Sequence, residues 1–257
     1  MLVLCALPAR ANLVSNGSFT GCNGSLTGGC SASNFAIGTS GGTQTVYNLT
    51  SWTMSSTNNL HCVAVAGSGG AYSNNFLCGS GWTGGTTNLQ MFALPGASPD
   101  GGNYVLMDGD PKYSGTLSQT LTGLIVGKVY SLSFYQSAGQ QTGNSGNSTD
   151  FWKVTFTKAG GGATYNTFGS ASQNAITVTS ASTTSPGWQQ VTYTFTASAT
   201  SEVLNFLSVG ASGVPPYLFL DGVDVEVASS VPEPGTLSLL LAGLMALPLA
   251  RRRNQRK

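Results

Sequence analysis

Gly127-Lys128-Val129-Tyr130-Ser131-Leu132-Ser133-Phe134-Tyr135-Gln136-Ser137 is the stretch on which the fold class turns. Tyr130, Leu132, Phe134 and Gln136 share one parity, and Val129, Ser131, Ser133 and Tyr135 share the other. In an extended chain successive side chains point to opposite faces, so this alternation fits a half-buried strand and not a helix of period 3.6. The Trp188–Ala197 stretch repeats the pattern. Val191, Tyr193 and Phe195 face one way, and Thr192, Thr194 and Thr196 face the other.

Working outward, strands are expected at 103–107, 116–121, 151–157, 175–179, 203–209 and 217–227. Between them lie turn-forming connectors: GQQTGNSGNSTD at 139–150, KAGGGA at 158–163 and TSASTTSPG at 179–187. Many short strands separated by Gly, Asn, Ser and Pro predict an all-β antiparallel β-sandwich. No segment carries an amphipathic helical repeat, and no period of 20–50 residues points to a solenoid or propeller. Composition agrees. Charged residues make up only 7% of the 257, against about 25% in an ordinary soluble domain. Trp52, Trp82, Trp152 and Trp188 with the aliphatic residues supply enough apolar surface for a core, which argues against disorder. Trp152 and Trp188 sit inside strand patterns and are read as core.

The formal net charge of +1 hides an asymmetry, because all five Arg lie at the ends: Arg10, Arg251, Arg252, Arg253 and Arg256. Between Asn12 and Val231 four lysines stand against eight acids, a net charge of −4. Phosphate recognition needs a basic stripe, so a nucleic-acid partner is not expected.

The first residues, MLVLCALPARA, combine a short apolar run with Ala9-Arg10-Ala11 and read as the latter half of a secretory signal peptide over 1–11. Cys22, Cys30, Cys62 and Cys78 then form an even set in an exported chain and are expected to form two disulfides. Three pairings are open. Proximity favours Cys22–Cys30 with Cys62–Cys78. A zinc site is not favoured, since no C-x₂-C knuckle is present and His61 is the only histidine.

At the other end, Val231-Pro232-Glu233-Pro234-Gly235 precedes an apolar run over about 236–250 and then Arg251-Arg252-Arg253. The run is short for a membrane span of about 20 residues, but the Arg cluster obeys the positive-inside preference. Pro232, Glu233, Pro234, the run and the Arg cluster together resemble the PEP-CTERM sorting signal of Gram-negative bacteria. The resemblance implies a single transmembrane sorting helix within 229–257. It also implies processing by an exosortase and a place in the cell envelope or extracellular matrix, associated with exopolysaccharide and biofilm.

The body, 12–228, opens on Asn12-Leu13-Val14-Ser15-Asn16-Gly17-Ser18-Phe19 and closes on Leu220-Asp221-Gly222-Val223-Asp224-Val225. With the late Gly187-Trp188 strand, this order resembles galactose-binding-like jelly-roll sandwiches, including carbohydrate-binding modules. The resemblance implies adjacent first and last strands, with a structural calcium between them at Asn16, Asp221 and Asp224. Thr20 stands where an acid often follows NGSF, and calcium wants six to eight oxygens. The competing reading leaves Asp221 and Asp224 solvated at a strand end. Asp108-Gly109-Asp110-Pro111 is read as a tight turn.

No nucleophile–base pair, metalloprotease helix or phosphate loop is legible, and His61 stands alone. A glycosidase pair drawn from Asp108, Asp110, Asp150 and Glu202 is arbitrary on sequence grounds. The expected function is therefore non-catalytic, with no cofactor required and the structural calcium entering only through the resemblance: an exported surface protein that binds polysaccharide. Trp52, Tyr72, Trp82 and Tyr113, in or beside Gly-rich loops, are the candidate sugar-stacking residues. The rivals are a surface-coat protein without a small ligand and a glycoside-active enzyme.

Overall fold

The computed structural model describes residues 11–23, 48–54, 61–64, 75–76, 89–113, 115–180, 185–214 and 216–228. The described strands are, in chain order, β1 (Cys22–Asn23), β2 (Asn48–Leu49), β3 (Thr53–Met54), β4 (His61–Ala64), β5 (Asn75–Phe76) and β6 (Leu89–Gln90). They continue with β7 (Tyr104–Asp108), β8 (Leu117–Thr122), β9 (Val129–Gln140), β10 (Ser148–Lys158) and β11 (Thr164–Phe168). The last are β12 (Ile176–Val178), β13 (Gln189–Thr196), β14 (Ser201–Val209) and β15 (Pro216–Val227). No helix occurs among the described residues.

Two antiparallel sheets face each other. One runs β13-β9-β15-β7-β4; the other runs β11-β10-β14-β8-β3, with β12 also paired to β10. This is the expected all-β antiparallel sandwich, and its local cause is the alternation quoted above. Tyr130, Leu132 and Phe134 of β9 are fully or almost fully buried, while Ser131 and Ser133 between them are half-exposed. From the opposite sheet Trp152, Val154 and Phe156 of β10 and Leu204 and Phe206 of β14 meet them. Phe206 lies at its centre, with ring centroids 5.2 Å from Phe134, 6.0 Å from Trp152 and 6.2 Å from Trp52. Aromatic pairs at such spacings prefer tilted and edge-to-face packing, as these have.

The first and last segments of the body lie side by side. The Leu13 amide donates to the Val225 carbonyl at 2.8 Å, and the Val223 amide donates to the Gly17 carbonyl at 3.2 Å. Glycine is required at 17, because a Cβ there would overlap the Val223 carbonyl oxygen.

The outer face of the five-stranded sheet is not left wet. Every residue of β7 is buried. Tyr104, Leu106 and Phe219, which face away from the core, are covered along with Met91. Trp188 packs edge-on against Tyr104 with centroids 5.2 Å apart, and its indole N–H donates to the Gly96 carbonyl at 3.3 Å. It is half-exposed and precedes β13, so the core placement expected for Trp188 is corrected. Trp152 is in the core as expected.

The chain divides into two units, Met1–Val227 and Ala228–Lys257. The leader at 1–10, Cys30, Cys78 and the whole sorting segment from residue 229, including the apolar run at about 236–250, lie outside the described residues.

Candidate functional site

Two buried acidic groups and one cavity are the chemically distinctive places in the sandwich. The first group lies where β7 ends. Asp108-Gly109-Asp110-Pro111 is a turn, closed by the Tyr113 amide donating to the Asp110 carbonyl at 2.7 Å. Its carboxylates are inside. Asp108 Oδ1 accepts the Asp110 amide at 2.8 Å, and Asp110 accepts the amides of Lys112 at 2.9 Å and Gly213 at 2.6 Å. Asp150 approaches from β10; one oxygen takes the Ser148 hydroxyl, and Oδ2 is buried without a partner, as is the Tyr217 hydroxyl. Ser148 Oγ in turn accepts the Ala211 amide at 2.9 Å. The group thus ties the 210–213 loop to the end of the sheets.

Burial pushes the Asp108 carboxyl up to about 7, against the Asp110 amide bond and with the help of the Asp110 and Asp150 charges. Burial likewise pushes Asp150 up to about 7, opposed by the Ser148 hydroxyl. Burial raises Tyr113 and Tyr217 too, the latter well above its ordinary value, with the Asp108 charge adding to each. Near neutrality such carboxyls hold protons that solvent-facing carboxyls have lost.

The second group sits at the bulge of β15, between Asp221 and Asp224. Asp221 is 0% exposed, and neither of its oxygens makes a hydrogen bond of ordinary geometry, although Ser98 and the Gly222 amide stand near enough to favour its charge. Burial is the largest cause that pushes its carboxyl up to about 7, and the Asp100 charge adds to it. Asp224 is half-buried, with Oδ1 unpartnered; burial, Glu226 and Asp100 raise it.

Asn16 does not join them. Its amide donates to the carbonyls of Gly21 and Thr50 at 2.8 and 2.9 Å, its Oδ1 accepts the Gly21 amide, and its own carbonyl accepts the Trp52 indole at 2.9 Å. Asn16 is a clamp on the N-terminal segment, held at φ 55°. The Asn16 side chain is thus taken up within the N-terminal segment, and the charge that raises both Asp221 and Asp224 is that of Asp100, which sequence reading missed. The solvated alternative fails for Asp221, which is sealed, and holds in part for Asp224, which is half-buried. Among the described residues no three carboxylates, thiols or imidazoles gather as a metal-binding set.

The cavity, about 260 Å³, opens where β9 ends beside β12 and is lined by Ala93, Gln140, Thr177, Thr179, Ser185 and Pro186 among others. Its wall mixes small apolar groups with uncharged hydrogen-bonding ones. The Gln140 amide is fixed by donating to the Gly146 carbonyl at 2.8 Å. None of these residues is distinctive in sequence, and only folding brings 93, 140, 177 and 185 together.

Of the candidate stacking residues, Tyr72 and Trp82 lie outside the described residues. Tyr113 is half-buried beside Asp108 and Asp110. Trp52 is 4% exposed and packs between Phe19 and Phe206, so it has no face left for a sugar; that candidate is corrected to a core residue. Cys22 and Cys62 fall in β1 and β4, with His61 next to Cys62. Glu202 is tied up by the Ser198 and Ala199 amides at 2.6 and 3.0 Å. It begins β14, whereas Asp150 lies at the strand's far end beside Val209, roughly 20 Å away at about 3.3 Å per residue. Glu202 therefore cannot pair with Asp108, Asp110 or Asp150 across a glycosidic bond.

The tail carries Pro232-Glu233-Pro234, an apolar run and Arg251-Arg252-Arg253. Residues 230–256 match the PEP-CTERM protein-sorting motif. The PEP-CTERM segment marks an exported chain with a membrane-anchoring sorting signal at this end. No curated protein matches the chain. Among solved structures, the enzymatically active domain of bacteriophage CBA120 tailspike protein 4 is similar at 12% identity and a TM-score of 0.42. That match covers 84% of this chain and 21% of the other, so the chain spans about a fifth of that domain's length. TmCBM61 in complex with β-1,4-galactotriose is similar at 16% identity and a TM-score of 0.39, covering 69% of this chain and 88% of its own. The CBM22-1 xylan-binding domain from Paenibacillus barcinonensis Xyn10C is similar at 16% identity and a TM-score of 0.34, covering 56% and 82%.

Proposed function

We propose that this chain is an exosortase-sorted surface protein whose sandwich is a non-catalytic module for uncharged polysaccharide in an exopolysaccharide or biofilm setting. The observation that carries the reading is the PEP-CTERM segment at 230–256, which marks an exported chain and so supports a task for the sandwich outside the cell. The sugar part draws support from the cavity by β9 and β12. Threonine and serine hydroxyls and a fixed glutamine amide suit sugar hydroxyls, and the small apolar residues suit the C–H faces of a sugar ring. A body with four lysines and no arginine favours a neutral over an acidic glycan.

Affinity electrophoresis of the exported chain through gels containing neutral or acidic polysaccharides tests this. Retardation by a neutral glycan is expected, weakened about tenfold by Gln140→Ala, since a lost hydrogen bond in a desolvated site costs about 1–2 kcal/mol. No release of reducing ends should accompany it. Equal mobility in every gel would remove the sugar reading, and self-association without glycan would favour a coat protein.

A structural calcium is retained here in a reduced form, with Asp221 and Asp224 as its protein carboxylates and no part for Asn16. The three unpartnered oxygens of these two residues fit a cation, with backbone or water oxygens completing the six to eight that calcium takes. Bound calcium would supply rigidity at the bulge of β15.

A further inference from the structure

The turn between β8 and β9, Gly123-Leu124-Ile125-Val126-Gly127-Lys128, presents large apolar side chains that are exposed among the described residues. Ile125 is 58% exposed, Val126 59% and neighbouring Val129 45%. The turn is firmly built. The Ile125 amide donates to the Tyr130 hydroxyl at 2.9 Å, the Lys128 amide to the Ile125 carbonyl at 3.0 Å and the Gly127 amide to the Ala197 carbonyl at 2.8 Å. Leu124 is buried beneath it and anchors the turn in the core. Both glycines stand at φ +80°, where glycine avoids the strain of a side chain. A rigid turn that pushes two aliphatic side chains into water costs solvation free energy unless something covers them.

What covers them is indicated by where the body ends. Val227, the last residue of β15, pairs with Tyr130, the residue that holds the turn. The polypeptide leaves the sandwich at the same end as Ile125 and Val126. Only residues 228–235 then separate β15 from the apolar run that starts at Thr236. Fully extended, that link reaches roughly 26–29 Å at about 3.3–3.6 Å per residue. Lys128 in the turn and Lys158 at the end of β10 are exposed on this end, and Glu202 is turned inward on the Ser198 and Ala199 amides. Glu226, paired with Ser131, is the acid on this end that could oppose anionic headgroups.

We propose that the Leu124–Lys128 turn is a membrane-contact tip: Ile125 and Val126 enter the headgroup–acyl boundary of the bilayer that holds the C-terminal segment. The proposal rests on the reading of 230–256 as a membrane-anchoring signal. Two aliphatic side chains bind a bilayer weakly from free solution, much as one short lipid chain does. A short link changes this, because it raises the local concentration of bilayer seen by the tip to the millimolar range. The contact sets this end of the sandwich toward the membrane. It leaves the opposite end, with the 141–147 and 210–213 loops, pointing outward.

The full chain, inserted in vesicles of phosphatidylethanolamine and phosphatidylglycerol, is photolabelled with a diazirine dissolved in the acyl chains, and labelled peptides are mapped by mass spectrometry. Label is expected in the 123–130 peptide and in 236–250, and not in 141–147. Ile125→Ser with Val126→Ser should cut label at 123–130 by at least about tenfold, because each buried aliphatic side chain is worth about that factor. Label at 236–250 and the melting temperature should not change. Label in 236–250 with none in 123–130 overturns the tip and leaves the anchor standing. Absence of label from both removes the anchor and the tip with it. Chain-to-chain crosslinking through 125 or 126 without lipid label assigns the tip to a second copy and also overturns the proposal.

Discussion

Asp221, in the middle of β15, is fully enclosed by the body with both oxygens unpartnered, and Asp108 and Asp150 are enclosed where β7 ends and β10 begins. All three carboxyls are pushed up to about 7, chiefly by burial. The folded protein therefore holds protons that the unfolded chain, with carboxyl values near 3.9, has released. Stability from these groups is complete below about pH 4, falls as pH rises from about 4 to 7, and levels off above that. The melting temperature should drop across that window, and Asp221→Asn should flatten the drop and raise stability at pH 8. A bound calcium reverses the expectation: it would hold Asp221 ionised, so millimolar calcium at pH 8 would raise the melting temperature of the parent chain but not of Asp221→Asn. Thermal scans from pH 4 to 8, with and without calcium, separate the two. In the sequence, Asp221 and Asp224 were visible as acids near the chain's close, but their burial was not. Burial depends on Ser98, Asp100 and Tyr135, which distant segments bring to them, and no local pattern encodes that.

The long strands β9, β10, β13 and β14 were legible because each alternates over a core that one sheet face supplies, and β15 was legible from its apolar run and the alternation beyond its bulge. The two-residue strands, β1 to β3 and β5 to β6, are too short to show a period. Trp188 was misread because Gln189–Thr196 alternates so clearly that the residue before it seems to belong to the same strand. It caps the outer face of the sheet instead. The apolar run at 104–107 marked a strand without revealing that it is covered on both faces, as such runs often are. The N-terminal segment, though lacking regular secondary structure, was placed correctly beside the last strand. That pairing depends on Gly17. Gly17→Ala would press a Cβ into the Val223 carbonyl. A loss of about 1–3 kcal/mol is expected, as for other overpacked sites, or roughly 2–4 °C per kcal/mol in a chain of this size. Ser15→Ala, at an exposed position of the same segment, should be close to neutral in the same calorimetric comparison.

At the scale of the molecule, the ends and the body say different things. The body is a low-charge sandwich at −4, whose acids are largely buried and whose cavity carries uncharged polar groups. The arginines and the longest apolar run lie outside it. This division was readable at once, because a sorting signal is a contiguous motif, whereas a sugar site is assembled from residues far apart in the chain. Of the stacking candidates chosen from Gly-rich surroundings, Trp52 went to the core, because a loop aromatic and a core aromatic look alike until the loop's path is known. The proposed function requires that the sandwich be delivered by the PEP-CTERM segment and separated from it outside the membrane. The direct measurement is the intact mass of the protein recovered from the surface of cells with and without an exosortase. With the enzyme, the mass should correspond to a chain that ends near Pro232-Glu233-Pro234 and lacks the Arg cluster. Without it, or with Pro232→Ala and Glu233→Ala, the full C-terminus through Lys257 should remain in the membrane fraction. A full-length C-terminus on the cell surface in the presence of exosortase, or identical masses in all strains, would contradict the account.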